Sequence, residues 1–334
     1  MQGMHRIPGG MTCPKTAVSV PDPSGAKTCG SPAVVNAVPD ALNQGGHSIS
    51  HFDMPLTCSR VWAAITTQTK EKQMYNFDFV KPASIADAAK AMAADGAQAL
   101  SGGQTLIPTM KQRLASPSVL VSLTGIPELQ GVSMADEGVS VGAATVHAAV
   151  AREAATYYPA LAALAGGIGD PAVRNRGTLG GSLANNDPSA CYPAAVLGSG
   201  ATVHTNTRKI KADDYFQGMF STALDEAEFI TSVTFPVPQK AAYVKFDQPA
   251  SRFALTAVFV AKYADGVRVA VTGAAESGVF RWTEAETALS ANFSAAAIAH
   301  LTMPSKGMIG DLHGTPAYRA NLVKVLTGRA VTAA

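Results

Sequence analysis

The sequence predicts an α+β protein. Short apolar strands alternate with helical segments from about residue 74 to residue 237, and a run of strands followed by helices fills the remainder. The 334 residues are 47% hydrophobic, which is enough to bury the cores of two or three domains. Residues 1–73 differ, because they hold seven of the twenty prolines and seven glycines and show no regular apolar period. We predict a poorly structured N-terminal extension there.

The first patterned region begins after Met74. Aromatic residues alternate with polar ones in YNFDFV, which predicts a strand. A helix is predicted in SIADAAKAMAADG, with Ser84 as its N-cap and Gly96 at the C′ position. A strand is predicted in AQALSGG and a short helix in LIPTMKQRL. Two strands follow in SVLVSL and GVSVGAAT, and two helices in VHAAVAREAA and PALAALAGG. The region closes with a strand or hairpin in ATVHTNTRKI and a strand in EFITSVTFPVP.

A second domain is predicted from residue 239, because Pro236 and Pro238 mark a boundary. Three strands come first, in AAYVKFD, ALTAVFVAKY and VRVAVTGAAE, with Ala264-Asp265-Gly266 as a hairpin turn. Helical patterns follow in TEAETALS, SAAAIAH and PAYRANLVKVLTGRAV.

Composition argues against several classes of function. Charged residues make up only 15% of the chain, the net charge is +2, and no Lys/Arg cluster suggests a nucleic-acid surface. Cys13, Cys29, Cys58 and Cys191 match no zinc or iron–sulfur spacing, which favours reduced thiols and a cytoplasmic location. No apolar run approaches the roughly 18 residues of a membrane span, and the N-terminus lacks the apolar stretch of a secretory signal. No catalytic triad or metal-ligand pattern is present, so we predict no acid–base catalyst and no metal site.

Two Gly-Gly pairs stand about eighty residues apart, in ALSGGQTLIP (99–108) and GTLGGSLANNDPSA (177–190). Neither has the spacing of a dinucleotide-binding or P-loop motif. Glycine removes Cβ and permits positive φ, so successive N–H groups can converge on a phosphate. Each stretch leads toward a helical segment and carries hydroxyl donors, namely Ser101, Thr105, Thr178 and Ser182. The pairs therefore suit the two phosphates of one diphosphate, although a Gly-Gly pair alone is more often a simple turn.

Six segments together resemble the FAD-binding medium subunit of the molybdenum hydroxylases, as in carbon-monoxide dehydrogenase and the flavin portion of xanthine dehydrogenase. They are FDFVKPASIADA, ALSGGQTLIPTMKQRLASPSVLVSL, VGAATVH, IGDPAVRNRGTLGGSLANNDPSACYPAAVLGSGATV, DDYFQGMFSTALDEAEFITSVTFP and YVKFDQPAS. The resemblance runs from Met74 to the C-terminus. It implies a two-subdomain FAD-binding domain of the PCMH (vanillyl-alcohol-oxidase-like) type over residues 74–238. A smaller α+β domain of the CO-dehydrogenase flavoprotein type, with an antiparallel sheet and helices, is implied over 239–334.

The resemblance also implies which residues contact FAD. Both glycine stretches would wrap the diphosphate, Ile168 would face the isoalloxazine ring, Ile230 would lie beside the cofactor and Lys245 would reach the flavin. From the sequence alone, Ile168 and Ile230 are ordinary core residues and Lys245 an ordinary surface lysine. The implied set is Ser101, Gly102, Gly103, Gln104, Thr105, Leu106, Ala143, Thr145, Ile168, Thr178, Leu179, Gly180, Gly181, Ser182, Ala184, Asn185, Cys191, Ile230 and Lys245.

Some positions depart from the family. Cys191 stands where relatives often have aspartate, so one hydrogen-bond acceptor for the cofactor is missing, and Asn175 replaces an aromatic residue. We interpret His147, which follows a predicted FAD contact, as structural. The cysteine-rich insertion that carries an extra [4Fe–4S] cluster in some relatives is absent, so FAD is the one cofactor predicted.

The resemblance implies an electron-transfer subunit of a cytoplasmic oxidoreductase. Substrate would be hydroxylated at a molybdenum cofactor in a large subunit, and electrons would pass through two [2Fe–2S] clusters of a small subunit to FAD and then to an acceptor. A dimer of heterotrimers is the expected assembly. Two alternatives are a self-contained oxidase of the vanillyl-alcohol-oxidase type and an assembly subunit that has lost its flavin.

Overall fold

The computed structural model describes residues 5–6, 12–13, 30–46, 61 and 74–334. The chain divides into two units, Met1–Met74 and Tyr75–Ala334. In the first unit, strands β1 (His5–Arg6) and β2 (Thr12–Cys13) pair antiparallel, and helix α1 spans Gly30–Gln44. No helix was predicted in this stretch. The rest of the extension, predicted to be poorly structured, lies outside the described residues.

A three-stranded parallel sheet opens the second unit. Its strands are β3 (Asp78–Val80), β4 (Ala97–Leu100) and β5 (Val119–Ser122), in the order β3-β5-β4. Helix α2 (Ile85–Met92) begins after the predicted N-cap, where the Asp87 N–H donates to Ser84 Oγ at 3.1 Å. It ends at Met92, and Gly96, with φ +67°, belongs to the turn into β4 instead of capping the helix. Helix α3 (Leu106–Lys111) follows the first Gly-Gly pair.

A five-stranded antiparallel sheet forms the middle of the unit. Its order is β6-β7-β12-β8-β9, where the strands are β6 (Val132–Ala135), β7 (Gly138–Gly142), β8 (Thr202–Thr205), β9 (Lys209–Lys211) and β12 (Ile230–Phe235). Between β9 and β12, strands β10 (Phe216–Gly218) and β11 (Ser221–Thr222) form a separate antiparallel pair. Strands β7, β8, β9 and β12 match predicted segments, whereas β6, β10 and β11 were not predicted.

Six short helices connect these strands. They are α4 (His147–Glu153), α5 (Pro159–Gly166), α6 (Pro171–Arg174), α7 (Leu179–Asn185), α8 (Tyr192–Ser199) and α9 (Ala212–Tyr215). The second Gly-Gly pair therefore lies inside the first turn of α7, and not in a loop that precedes a helix. Every residue of α8 is buried, so its sequence has no polar face from which a helical period could be recognised.

The C-terminal part carries a four-stranded antiparallel sheet in chain order. Its strands are β13 (Lys240–Asp247), β14 (Ala254–Lys262), β15 (Val267–Ala275) and β16 (Gly278–Arg281). Helices α10 (Thr283–Ala291) and α11 (Pro316–Ala333) match predictions, while the predicted helix in SAAAIAH is a 3₁₀ turn, Ala295–Ile298. The apolar residues of this sheet and of α11 form one core cluster, which includes Val258, Val271 and Leu326.

A second core cluster crosses residue 238. It joins the β7–β12 sheet and helix α8 to Phe259 of β14, and Gly198 of α8 leaves room for that ring. The predicted division into domains at residue 238 stays a prediction. No helix within the described residues is long and apolar enough to cross a membrane.

Candidate functional site

A cavity of about 930 Å³ lies among the loops of the second unit. Its walls come from the loop after β4, the turn after β7, the segment after α5, the first turns of α7, the start of β12 and the segment between β13 and β14. The loop after β4 stands at the carboxyl end of the parallel sheet, where ligands bind in many α/β proteins. The volume is in the range expected for a site that holds a large organic ligand.

The two Gly-Gly stretches meet at this cavity. Thr178 Oγ1 donates a hydrogen bond of 2.8 Å to Ser101 Oγ, across 77 residues of sequence. Gly102 packs so closely on the backbone before Thr178 that a Cβ on it would collide with the Arg176 carbonyl oxygen. Only glycine permits this approach. Position 102 therefore requires glycine because the two stretches are in contact there.

The first stretch offers free backbone donors. Within the described residues, the N–H groups of Gly102, Gly103, Gln104 and Thr105 donate to no backbone acceptor. Gly103 has φ +69°, a conformation that turns successive N–H groups toward one point. Such a loop can surround an anion, because these N–H groups have no backbone acceptor in the described part of the chain.

The second stretch differs from the sequence-based expectation. Its N–H groups already have partners: Leu179 donates to Thr145 O at 3.2 Å, Gly180 to Ala143 O at 2.8 Å and Gly181 to Thr178 Oγ1 at 3.2 Å. A Cβ on Gly180 would lie 2.6 Å from the Ala143 Cβ. The second Gly-Gly pair therefore lets α7 pack on the turn after β7, and the side chains of Ser182 and Asn185 are its polar contribution to the cavity.

The cavity brings together most of the residues singled out by the sequence. Those that line it are Ser101, Gly102, Gly103, Gln104, Thr105, Leu106, Ala143, Ile168, Thr178, Gly180, Gly181, Ser182, Ala184, Asn185, Cys191 and Ile230. Three others do not line it. Thr145 is buried, and its hydroxyl is hydrogen-bonded to the backbone of Gly131. Leu179 is fully buried in the core, and Lys245 lies behind the wall of the cavity.

Lys245 holds two wall segments together. Its Nζ donates to the Gly167 carbonyl at 2.7 Å and to the Arg252 carbonyl at 2.9 Å, and it pairs with Asp247 at 2.7 Å. The first carbonyl precedes Ile168, and the second belongs to the segment between β13 and β14. The side chain is only 8% exposed, so this lysine fixes the shape of the cavity from outside it.

Cys191 lines the same region and is nearly buried. Burial raises the pKa of its thiol, and the nearby Lys245 cation opposes that shift only in part. The thiol therefore remains neutral near pH 7 and presents no anionic acceptor to a ligand.

Several lining residues were not predicted. His147, Phe220 and Phe253 face the cavity, and the two phenylalanines are 58% and 54% exposed. Burial, with the nearby Arg174 cation, lowers the pKa of His147 to about 4. The two phenylalanines belong to loops without periodicity, so no local signal in the sequence distinguishes them from ordinary loop residues.

The cavity wall combines polar and apolar groups. Besides the N–H groups and hydroxyls of the glycine stretches, it includes the carboxyl residues Asp170, Asp187 and Glu228. Its larger apolar side chains are Leu123, Ile168, Phe220, Leu224, Phe229, Ile230 and Phe253. Such a cavity fits a ligand with an anionic part and a flat apolar part, as in FAD. Within the described residues, no group of three or more His, Cys, Asp or Glu side chains could hold a metal ion.

Comparisons with known proteins agree with this chemistry. Residues 75–238 match the family described as the FAD binding domain in molybdopterin dehydrogenase. The chain is 34% identical to the nicotine 6-hydroxylase medium subunit of Paenarthrobacter nicotinovorans, over 77% of this chain and 96% of that protein. It is 37% identical to the carbon monoxide dehydrogenase medium chain of Afipia carboxidovorans, over 55% and 68%. A chain of the Cu,Mo-CO dehydrogenase crystal structure matches with a TM-score of 0.69 and 30% identity, over 78% of this chain and 98% of that one.

Proposed function

This chain belongs to the FAD-binding medium subunits of the molybdenum hydroxylases, and from that premise we propose that it carries electrons between a partner subunit and an external acceptor. It is an oxidoreductase subunit, and its cofactor is FAD. The proposed donor is the [2Fe–2S] subunit of the complex. The substrate is oxidised in a separate molybdenum-containing large subunit, and a dimer of heterotrimers is the assembly we expect.

The observation that carries the proposal is the cavity in which two distant glycine stretches touch. The free N–H groups of Gly102–Thr105 are suited to the diphosphate of FAD, and the hydroxyl of Ser182 and amide of Asn185 to its remaining polar oxygens. Ile168 and Ile230 are suited to packing against the isoalloxazine ring. The other predicted residues that line the cavity complete this proposed set.

When bound, FAD would supply both one-electron and two-electron redox chemistry, which suits a position between one-electron clusters and a two-electron acceptor. The residues of the cavity wall would bind and orient it. Lys245 fixes the Gly167 and Arg252 carbonyls, and through them the walls on both sides of Ile168. We assign it a positioning role, since its amine is already committed to three oxygens.

A self-contained oxidase of the vanillyl-alcohol-oxidase type would need a substrate-binding cap. Residues 240–333 instead form a four-stranded sheet packed against α10 and α11. Among the described residues, His147 makes no hydrogen bond to a carboxylate or hydroxyl of the cavity wall, so no His/Glu or Ser/His/Asp constellation is formed there to act on a substrate. A flavin-less assembly subunit would not need a cavity with unpaired donors, whereas the N–H groups of Gly102–Thr105 donate to no backbone acceptor in the described residues. Both alternatives are therefore less well supported.

The test is to purify the full chain alone and with its molybdenum and iron–sulfur partners. Alone, it should be yellow, release one FAD per chain on acid precipitation, and oxidise no substrate. With both partners present, substrate should bleach the flavin absorbance in a stopped-flow experiment. Substrate oxidation by the chain alone would favour the self-contained oxidase, and a colourless folded complex would favour the assembly subunit.

A further inference from the structure

His147 is a buried histidine on the cavity wall to which the proposed function assigns no role. It is the first residue of α4, it is 4% exposed, and its backbone N–H donates to Gly177 O at 2.9 Å. Its ring packs on Tyr192 with the ring centroids 5.2 Å apart. Within the described residues, no acceptor or donor is bonded to either ring nitrogen.

The two ring nitrogens have different surroundings. Nδ1 is completely enclosed and has no hydrogen-bond partner. Nε2 faces Gly177, because a Cβ placed on that glycine would lie only 2.6 Å from it. The imidazole fills the space that a side chain at position 177 would need, and Nε2, unlike Nδ1, is not fully enclosed. Both His147 and Gly177 line the cavity. Nε2 is thus the nitrogen through which this histidine can reach a ligand.

Gly177 also adjoins the free donors of the first glycine stretch. A Cβ on Gly102 would lie 2.8 Å from Gly177 Cα, so the two backbones are in contact at this point. The N–H groups of Gly102–Thr105 begin there. Gly177 therefore contacts both the imidazole of His147 and the loop that carries the free N–H groups.

The charges around the ring favour a neutral imidazole. Burial, with the Arg174 cation, lowers the pKa of His147 to about 4, so the ring carries one N–H at pH 7. Tyr192, which packs on the ring, is neutral as well because burial raises its pKa well above the usual value. A neutral N–H that donates to a phosphate oxygen satisfies a buried polar group without burying a second cation.

We propose that His147 Nε2, which is unpaired among the described residues and packs beside Gly177 on the cavity wall, donates a hydrogen bond to a diphosphate oxygen of FAD. The inference rests on the FAD site described above and adds to it a residue that binds the cofactor. Because a glycine is needed beside the imidazole, His147 and Gly177 act as a pair.

The test titrates the full chain, freed of flavin, with FAD, and follows flavin fluorescence. His147→Phe keeps an aromatic ring without a donor and should weaken FAD binding about 10- to 100-fold. His147→Gln places an amide near the Nε2 position and should restore most of the affinity. ADP, which carries the diphosphate without the flavin, should lose the same factor in the His147→Phe chain.

Tyr192→Phe is the matched control, since it removes a buried hydroxyl beside the same ring and does not line the cavity. It should leave FAD affinity unchanged, and circular dichroism should show all flavin-free variants folded. If the unaltered chain binds FAD and the folded His147→Phe chain binds it as tightly, the inference is wrong. An unchanged ADP affinity would overturn the assignment to the diphosphate. If the unaltered chain binds no FAD, the FAD site itself fails.

Discussion

At the scale of single residues, the site depends on where a side chain is missing. Gly102 lets two stretches of backbone touch, and the touching stretches hold four free N–H groups on one side of the cavity. We expect Gly102→Ala to weaken FAD binding about tenfold or more, because its Cβ would push the loop away from the Arg176 carbonyl. Gly125→Ala is the control, since nothing lies within 4 Å of a Cβ there. Equal affinities in a fluorescence titration would contradict this account.

Glu228, another lining residue, is held by a polar network. Its carboxylate accepts hydrogen bonds from Thr205, Thr207, the Arg208 guanidinium and the Asp225 N–H. Burial alone would raise the pKa of Glu228, yet these bonds lower it from 4.5 to about 2. The carboxylate therefore stabilises the fold fully above pH 4.5, and that contribution is lost as the pH falls toward 2.

Glu228→Gln should lower the free energy of unfolding by about 1–3 kcal/mol at pH 7. The difference from the unaltered chain should shrink between pH 4.5 and pH 2, where the native carboxylate becomes protonated. Glu226→Gln, at an exposed neighbouring position, should change stability little. Denaturant unfolding at several pH values measures the free energy of unfolding of the unaltered chain and of both variants. If the difference between Glu228→Gln and the unaltered chain does not depend on pH, the charge of Glu228 is not its cause.

The sequence predicted most lining residues, but not how their hydrogen bonds are distributed. Residue types and spacing identify both glycine pairs, and the family resemblance places them around FAD. Whether an N–H group is free depends on which carbonyl lies opposite, and that is decided by tertiary packing. Gly180 donates to Ala143, whereas Gly103 donates to no backbone group in the described part of the chain. His147 was interpreted as structural because nothing in its local sequence shows its contact with Gly177 or its place on the cavity wall.

At the scale of elements, the sequence predicted several segments correctly and missed one fully buried helix. Strands β13 to β15 and helix α11 were found where they were predicted, although β14 and β15 are almost completely buried. Helix α8 was missed because it is buried on all sides, and short apolar runs do not distinguish helix from strand. The second glycine pair was expected in a loop, because two adjacent glycines disfavour a helix. It lies in helix α7 instead, since the Thr178 N-cap and tertiary contacts outweigh that preference.

Lys245 acts between elements, so its removal should affect rate more than substrate binding. Lys245→Ala frees the Gly167 and Arg252 carbonyls, and both cavity walls should loosen. We expect turnover of the reconstituted complex to fall about tenfold with little change in substrate KM, because the proposed substrate site is in another chain. Asp247→Asn, which removes the ion pair and keeps both carbonyl bonds, should be close to normal. A raised KM with unchanged kcat would contradict the positioning role.

At the scale of the whole molecule, the site draws on both parts of residues 75–334. The lining residues that the structure describes fall between Gln98 and Phe253, and a continuous core joins the middle sheet to the C-terminal sheet across residue 238. Packing of this kind couples the segment between β13 and β14 to the glycine stretches. We therefore expect residues 74–238 alone to bind FAD poorly, since Arg252 and Phe253 of the cavity wall would be missing.

The last prediction concerns the N-terminal unit. The family match begins at residue 75. The alignment with the nicotine 6-hydroxylase medium subunit uses 77% of this chain and covers 96% of that subunit. Deleting residues 1–73 should therefore leave FAD affinity and assembly with the molybdenum and iron–sulfur subunits unchanged. The measurements are a flavin titration and size-exclusion chromatography of the reconstituted complex, with the full chain as the control. A truncated chain that folds but loses FAD would show that the first unit contributes to the cofactor site. One that keeps FAD but fails to assemble would assign the extension to a subunit interface.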